Sequence, residues 1–156
     1  MQRHLYYYTH VEATPLVARA AFSGDPALWL PSPAEAVRGS WTVDLAADGA
    51  LPRAVASHRV QVDVGAPSPS EGRVLRSLTW RSATAPGIFP VFTGDMELIA
   101  LQGALCQLSL MGTYRPPLSV AGDAADALLG HHVAEACVRR FVLDAGARMA
   151  GVTLNA

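Results

Sequence analysis

The sequence of 156 residues contains no lysine, and only 16% of its residues are charged. Its arginines are spread from Arg3 to Arg148, and the formal net charge is −1. Proteins that bind nucleic acid or anionic lipid electrostatically gather their basic residues into a patch or a stripe. The dispersed arginines therefore argue against both kinds of partner.

Cysteine is also scarce. Cys106 and Cys137 are too few for a disulfide framework and are not spaced like the ligands of a zinc knuckle. We predict two buried free thiols, and we predict neither a metal nor a cofactor. The phosphate-binding loops GxGxxG and GxxxxGK are missing, as is the Gly-x-Ser-x-Gly motif of a nucleophilic serine. Enzyme classes that need these motifs are therefore disfavoured.

The sequence lacks a long apolar run. The longest uncharged stretch, Leu98 to Tyr114, contains Gln102, Gly103 and Gln107, which suit a hairpin better than a membrane span. The first residues lack the apolar core of a signal peptide. We therefore expect a cytoplasmic protein without a membrane span.

What the sequence does have is an excess of apolar residues. Its mean hydropathy is +0.23, and its length fits a single domain over residues 1–156. Such a domain must hide more apolar surface than a small solid core needs. Either a lined cavity or a subunit interface would hide it, so both a monomer and a homodimer remain open.

The start signals and the hydrophobic spacing predict the order of elements. An aromatic strand at His4 to Glu12 precedes a short helix at Leu16 to Phe22 and a shorter one at Ala27 to Leu30. Apolar residues then alternate with polar ones, which is typical of half-buried antiparallel strands. The predicted strands lie at 40–45, 57–64, 73–82, 91–101 and 104–114, the last two joined by a two-residue turn at Gln102-Gly103.

A long helix at about Val120 to Ala150 ends the chain. It follows Arg115-Pro116-Pro117, where consecutive prolines take the chain out of the sheet. Gly130 is a point where this helix would divide in two. Its apolar stripe predicts a buried face formed by Val133, Cys137, Phe141, Ala145 and Met149. We predict that the opposite face, with His131, Glu135 and Arg139 spaced four apart, is exposed to solvent.

This order resembles the helix-grip fold of the SRPBCC superfamily, which includes START lipid-transfer domains, birch-pollen-allergen-like proteins, and polyketide cyclases and dehydrases. Leu78-Thr79-Trp80, Gly87-Ile88-Phe89-Pro90-Val91 and Gly112-Thr113-Tyr114-Arg115-Pro116-Pro117 look like a bacterial branch without an assigned activity. The resemblance implies an α+β fold. We expect a curved antiparallel sheet of about six strands, two short helices after the first strand, and the terminal helix lying across the sheet.

The resemblance also implies that a ligand lies between the sheet and the terminal helix. Strand and helix faces give the residues expected to line that space: Trp41, His58, Val60, Val62, Arg76, Leu78, Trp80, Phe89, Phe92, Met96, Leu98, Leu108, Leu110, Tyr114, Val133, Cys137 and Phe141. Three of them are polar candidates. His58 either points inward or lies on an exposed rim, Arg76 pairs with a ligand anion or sits at a solvated strand end, and Tyr114 contacts a ligand or stabilises the chain's exit from the sheet.

Three functions fit these features. The first is binding of a small hydrophobic molecule, such as a lipid, a polyketide or an aromatic metabolite. The second is catalysis of the polyketide cyclase or dehydrase type in the same cavity, with His58 or Tyr114 moving a proton and Arg76 steadying an enolate. The third is a homodimeric interaction module that binds no ligand.

Overall fold

The computed structural model describes residues 2–31, 34–46, 57–83, 91–115 and 124–152, with the backbone alone at 46, 57, 58 and 124–130. Its helices are α1 (Pro15–Ser23), a 3₁₀ helix (Pro26–Leu28) and α2 (Ala124–Ala150). Its strands are β1 (Arg3–Val11), β2 (Ala34–Val37), β3 (Ser40–Ala46), β4 (Ser57–Val64), β5 (Ser68–Ser70), β6 (Arg73–Ser82), β7 (Val91–Ala100) and β8 (Cys106–Arg115).

The strands form one antiparallel sheet in the order β1-β8-β7-β6-β4-β3-β2. Strand β5 pairs with the beginning of β6, next to the place where β4 stops pairing with it. Helix α2 packs against this sheet, and the two short helices follow β1 as predicted. The α+β helix-grip architecture expected from the sequence is therefore confirmed.

The described residues contain eight strands rather than about six, because two short strands were not predicted. Strand β2 reaches β3 through Arg38 and Gly39, both at positive φ (51° and 83°), as a tight hairpin requires. Arginine seldom adopts positive φ, so nothing in the sequence indicated this turn. Strand β5 contains Pro69 and pairs with β6 alone, and such an edge position tolerates proline.

The β7–β8 hairpin is closed by a longer loop than predicted. The N–H of Leu101 donates to the carbonyl of Leu105 at 3.0 Å, which leaves three residues between this pair instead of two. Gly103 lies in that loop at φ 66°, where a side chain would be strained. The sequence therefore located the turn correctly but gave it the wrong length.

Helix α2 runs unbroken through Gly130 and lies on the inner face of the sheet. The predicted stripe is buried, and Phe141, Ala145 and Met149 are fully inaccessible. Gly146 brings the helix close to β1, since a Cβ there would lie 2.8 Å from the methyl group of Thr9. No helix in the described ranges is long and apolar enough to cross a membrane.

Candidate functional site

The middle of the sheet–helix interface is filled by aromatic side chains. The ring of Trp80 stacks on Phe92 at 4.5 Å between centroids and packs against Phe141 at 5.3 Å. Most of the other predicted lining residues are buried in the same core: Val60, Val62, Leu78, Met96, Leu98, Leu108, Leu110 and Val133. Trp41 is half-buried at its margin. The expectation of a ligand space between Trp80 and Phe141 is therefore corrected, because side chains occupy it.

Arg76 is buried and bonded to the backbone. Its Nε donates to the carbonyl of Gly65 at 2.8 Å, and its Nη1 donates to the carbonyls of Phe22 and Gly24 at 2.8 and 2.9 Å. The guanidinium also lies 5.8 Å from the ring centroid of Trp29. Neither a ligand anion nor a solvated strand end, the two options left by the sequence, describes this residue. Arg76 fastens the end of α1 to the sheet.

Burial lowers the pKa of the Arg76 guanidinium, and the charge of Asp25 opposes that shift. The cost of burying this cation is offset by hydrogen bonds that a charged donor makes stronger than a neutral one. Two of the acceptors are carbonyls at the end of α1, where the last turn of a helix leaves its carbonyls without intrahelical partners. The physical role of Arg76 is thus structural.

A small void lies further along the interface, towards the amino-terminal end of α2. Its volume is about 10 Å³, close to that of a single water site. The residues around it are Leu5, Trp80, Phe92, Tyr114, Ala134, Cys137 and Val138. Four of these were among the predicted lining residues, whereas Leu5, Ala134 and Val138 were missed. Tyr114 gives this otherwise apolar wall a hydroxyl group.

Tyr114 belongs to a chain of hydrogen bonds that leads out of the core. Its hydroxyl lies 2.6 Å from Nδ1 of His131, and the two rings stack with centroids 5.8 Å apart. The Nε2 of His131 lies 3.0 Å from a carboxylate oxygen of Glu135. Three residues from β8 and α2 therefore connect the void to solvent.

The environment of Tyr114 favours its neutral phenol form. Burial raises the pKa of Tyr114; the nearby charge of Arg3 and a hydrogen bond from its side chain lower it, and the charge of Glu135 raises it again. The net direction is upward, so the hydroxyl keeps its proton at neutral pH. Arg3 lies opposite Tyr114 in the pairing of β1 with β8, which explains their proximity.

The prediction that His131 faces solvent is wrong. The residue is half-buried and bonded to Tyr114, whereas His132 beside it is exposed. A signal was present in the sequence, because His131 precedes Ala134 by three positions and Val138 by seven. That spacing places it at the edge of the buried stripe rather than opposite to it.

A larger cleft opens on the outside, between β1 and α2. Its volume is about 530 Å³, and it is lined by His4, Leu5, Tyr6, Tyr7, His132, Glu135, Ala136, Val138 and Arg139. Leu5 and Val138 line both this cleft and the inner void, and both are buried. The cleft and the void therefore adjoin at these two residues.

The cysteines are poorly suited to nucleophilic chemistry. Cys137 lines the void, and burial raises the pKa of its thiol to about 12. Burial also raises the pKa of Cys106. Within the described ranges, no three His, Cys, Asp or Glu side chains are grouped as metal ligands. Of the remaining candidates, Phe89 and the side chain of His58 lie outside the described residues.

Solved structures share this architecture across nearly the whole chain. A conserved protein from Geobacillus kaustophilus is 12% identical, covers 96% of both chains and has a TM-score of 0.59. The Zhui aromatase/cyclase from Streptomyces sp. R1128 is 14% identical, covers 97% of this chain and 93% of its own, and has a TM-score of 0.56. Ara h 8.0201 is 13% identical, covers 97% of both chains and has a TM-score of 0.57.

No protein-family model and no curated protein matches the sequence significantly. The structural likeness nevertheless shows the fold, which is the helix-grip fold expected from the sequence. In this chain the fold carries a closed aromatic centre, an inner void beside Tyr114 and an outer cleft along β1.

Proposed function

We propose that this protein binds a small hydrophobic molecule, such as a lipid, a polyketide or an aromatic metabolite, at the Tyr114 end of the sheet–helix interface. One observation carries the proposal: the open cleft and the inner void meet at Leu5 and Val138. A ligand seated in the cleft would therefore contact two residues that also line the void beside Tyr114.

The dimensions of the cleft support this assignment. Ligand sites are usually clefts of about 300 to 1,000 Å³ with mostly apolar walls and a few placed polar groups. The cleft is of that size, and Leu5, Ala136 and Val138 give it an apolar floor. The neighbour that is an aromatase/cyclase agrees with a role for this fold in handling small organic molecules.

Native mass spectrometry of the protein purified from its own host tests the proposal. We expect a bound small molecule in the wild-type protein. In the variant Ala136→Trp, whose indole would occupy the cleft from outside the core, we expect at least a tenfold lower occupancy. Ala147→Trp is the matched control, because it adds the same side chain at an exposed position of α2.

The control should retain the ligand, and circular dichroism should show that both variants are folded. Equal occupancy in Ala136→Trp and wild type would exclude the cleft as the binding site. A wild-type protein that carries no ligand and binds no apolar probe, such as 2-tetralone, would contradict the proposed function itself.

Catalysis on the bound molecule is the second candidate, and the contact between Tyr114 and His131 favours it. Of the three polar residues considered from the sequence, Arg76 is engaged by backbone carbonyls and is not placed to steady an enolate. The side chain of His58 lies outside the described residues. Among the described residues, Tyr114 is therefore the one around which a catalytic role would be built.

A further inference from the structure

The hydrogen-bond chain from Tyr114 to Glu135 has a defined direction. The Glu135 carboxylate can only accept, so Nε2 of a neutral His131 carries the proton that bonds to it. Nδ1 is then an acceptor, and the hydroxyl of Tyr114 donates to it across 2.6 Å. His131 can therefore accept a proton that leaves Tyr114, and the carboxylate of Glu135 pairs with the imidazolium that results.

This arrangement exceeds what packing requires. A buried tyrosine needs one partner for its hydroxyl, and a backbone carbonyl would serve. Here the partner is titratable, a carboxylate orients it, and the chain passes from Tyr114 (2% exposed) through the side chain of His131 (24%) to that of Glu135 (50%). A buried reacting group connected in this way can exchange protons with solvent.

Arg3 supplies a positive charge at the same hydroxyl. Its side chain donates a hydrogen bond to Tyr114, and its charge favours negative charge on nearby oxygens. An anionic oxygen on a ligand beside Tyr114 would be stabilised in the same way. The surrounding walls are apolar, from Leu5, Phe92 and Val138, which strengthens such electrostatic effects.

We propose that Tyr114 abstracts and returns a proton on an apolar carbonyl compound that has an acidic C–H next to its carbonyl group, with His131 and Glu135 as positioning residues. The inference rests on the proposed binding function, since the substrate must occupy the same site. It assigns a catalytic residue and a substrate class to that site.

The step is balanced without any further reactant. The C–H bond breaks, its electrons form the enolate, and the proton goes to the oxygen of Tyr114. The original phenolic proton moves to Nδ1 of His131, while Arg3 faces the enolate oxygen. The reverse step returns a proton to carbon, so the net result in D₂O is exchange of hydrogen for deuterium.

Proton NMR of 2-tetralone in D₂O measures this exchange directly. With wild-type protein we expect the signals of the protons next to the carbonyl to disappear faster than in buffer at the same pH. General acid–base groups typically contribute about 100-fold or more. Tyr114→Phe should therefore return the rate to that of buffer, whereas Tyr8→Phe, a control on the exposed face of β1, should keep it.

A second variant separates proton transfer from structural support. His131→Ala should lose exchange, and added imidazole should restore part of it by entering the vacated space. A purely structural histidine would show no such rescue. Failure of imidazole to rescue, or an equal loss in Tyr8→Phe, would overturn the proposed chain.

Binding is measured in the same samples through the line widths of 2-tetralone. If the probe binds to wild-type protein but exchanges no faster than in buffer, the catalytic inference is wrong and the binding function stands. If the probe does not bind at all, the proposed binding function fails first. If Tyr114→Phe loses binding together with exchange, the imidazole rescue of His131→Ala decides whether the hydrogen-bond chain transfers protons: rescue supports the proposal, and no rescue overturns it.

Discussion

Arg76 and Tyr114 are two polar groups on the same inner face of the sheet, and they are buried in different ways. The described hydrogen bonds of Arg76 all go to backbone carbonyls, which cannot titrate and are fixed by the fold. The hydroxyl of Tyr114 bonds to a side chain that leads through Glu135 to solvent. Both residues satisfy a buried polar group, but only the second arrangement can change its protonation state.

The comparison shows that the hydrogen-bond partners of a buried polar side chain distinguish a structural role from a possible catalytic one. A charged donor held by the backbone stabilises one arrangement of the chain. A neutral donor held by a titratable side chain, beside a void, is available to a ligand. Alternation along the strands predicted that both residues lie on the inner face. It could not distinguish their roles, because it indicates the face of a side chain but not its hydrogen-bond partners.

The largest expected effect is the loss of the Arg76 contacts. Replacing Arg76 with Met leaves the carbonyls of Phe22, Gly24 and Gly65 without this donor, so we expect the free energy of unfolding to fall by about 3–5 kcal/mol. Urea denaturation measures the change. Arg73→Met is the control: this exposed arginine pairs with Glu97 on the same sheet, and its loss should cost less than about 1 kcal/mol.

If Arg76→Met were as mild as Arg73→Met, the structural role assigned to Arg76 would be wrong. If Arg76→Met remained folded but lost ligand binding, Arg76 would have to be counted with the site at Tyr114. Either result would remove the distinction between a structural Arg76 and a ligand-binding Tyr114.

The second effect concerns Cys137, where burial is the cause of the raised pKa of the thiol. Its folded pKa of about 12 exceeds the ordinary value of 9.0, so the folded state holds its proton more tightly than the unfolded state. The resulting stability is complete below pH 9 and is lost as the pH rises towards 12. The expected loss is about 2 kcal/mol by about pH 10.5.

Urea denaturation at a series of pH values should show this slope in wild-type protein and a shallower slope in Cys137→Ala. Tyr114 also has a raised pKa and contributes in the same direction, so the two curves need not become flat. Identical slopes in the two proteins would mean that the thiol is not held in a low-dielectric site.

The third effect is the stability lost in Tyr114→Phe. This change removes one hydroxyl while keeping the ring, and His131 can be rehydrated from its exposed side, so we expect a cost of about 1 kcal/mol. Denaturation by urea gives the value. A cost as large as that of Arg76→Met would indicate that the hydrogen-bond chain is primarily structural.

The smallest effect is expected for Glu135→Gln. This half-exposed residue contributes little to stability, so we expect a change below about 0.5 kcal/mol. The amide is uncharged and a weaker acceptor, so NMR should show altered nitrogen chemical shifts for the His131 imidazole. Unchanged shifts would show that the His131–Glu135 contact does not persist in solution.

The sequence predicted the fold because its local signals agree. Thr14 and Asp25 each cap a helix start, as the pairing of their side chains with Val17 and Ala27 shows, and strand alternation gave the correct inner face. The two short strands were missed because Arg38 and Pro69 contradict ordinary strand and turn preferences. Residue preferences predict strands poorly at the edge of a sheet, because edge strands tolerate residues that are disfavoured in its interior.

The candidate site was less predictable, because it depends on contacts between distant elements. Tyr114 was identified, but its partner His131 lies on another element. The four-residue spacing of His131 with Glu135 and Arg139 was interpreted as an exposed face, although His131 also borders the buried stripe. The closed centre at Trp80 and Phe141 was also beyond sequence reasoning, since alternation predicts burial without telling a filled core from a lined cavity.

Helix α2 is fixed to neighbouring elements near its carboxy-terminal end. There, Arg148 donates to the carbonyl of Ala27 at 2.9 Å, and Gly146 seats the helix closely on β1. Glycine at 146 permits this close approach, and a substitution such as Gly146→Ala would require Thr9 or the helix to shift.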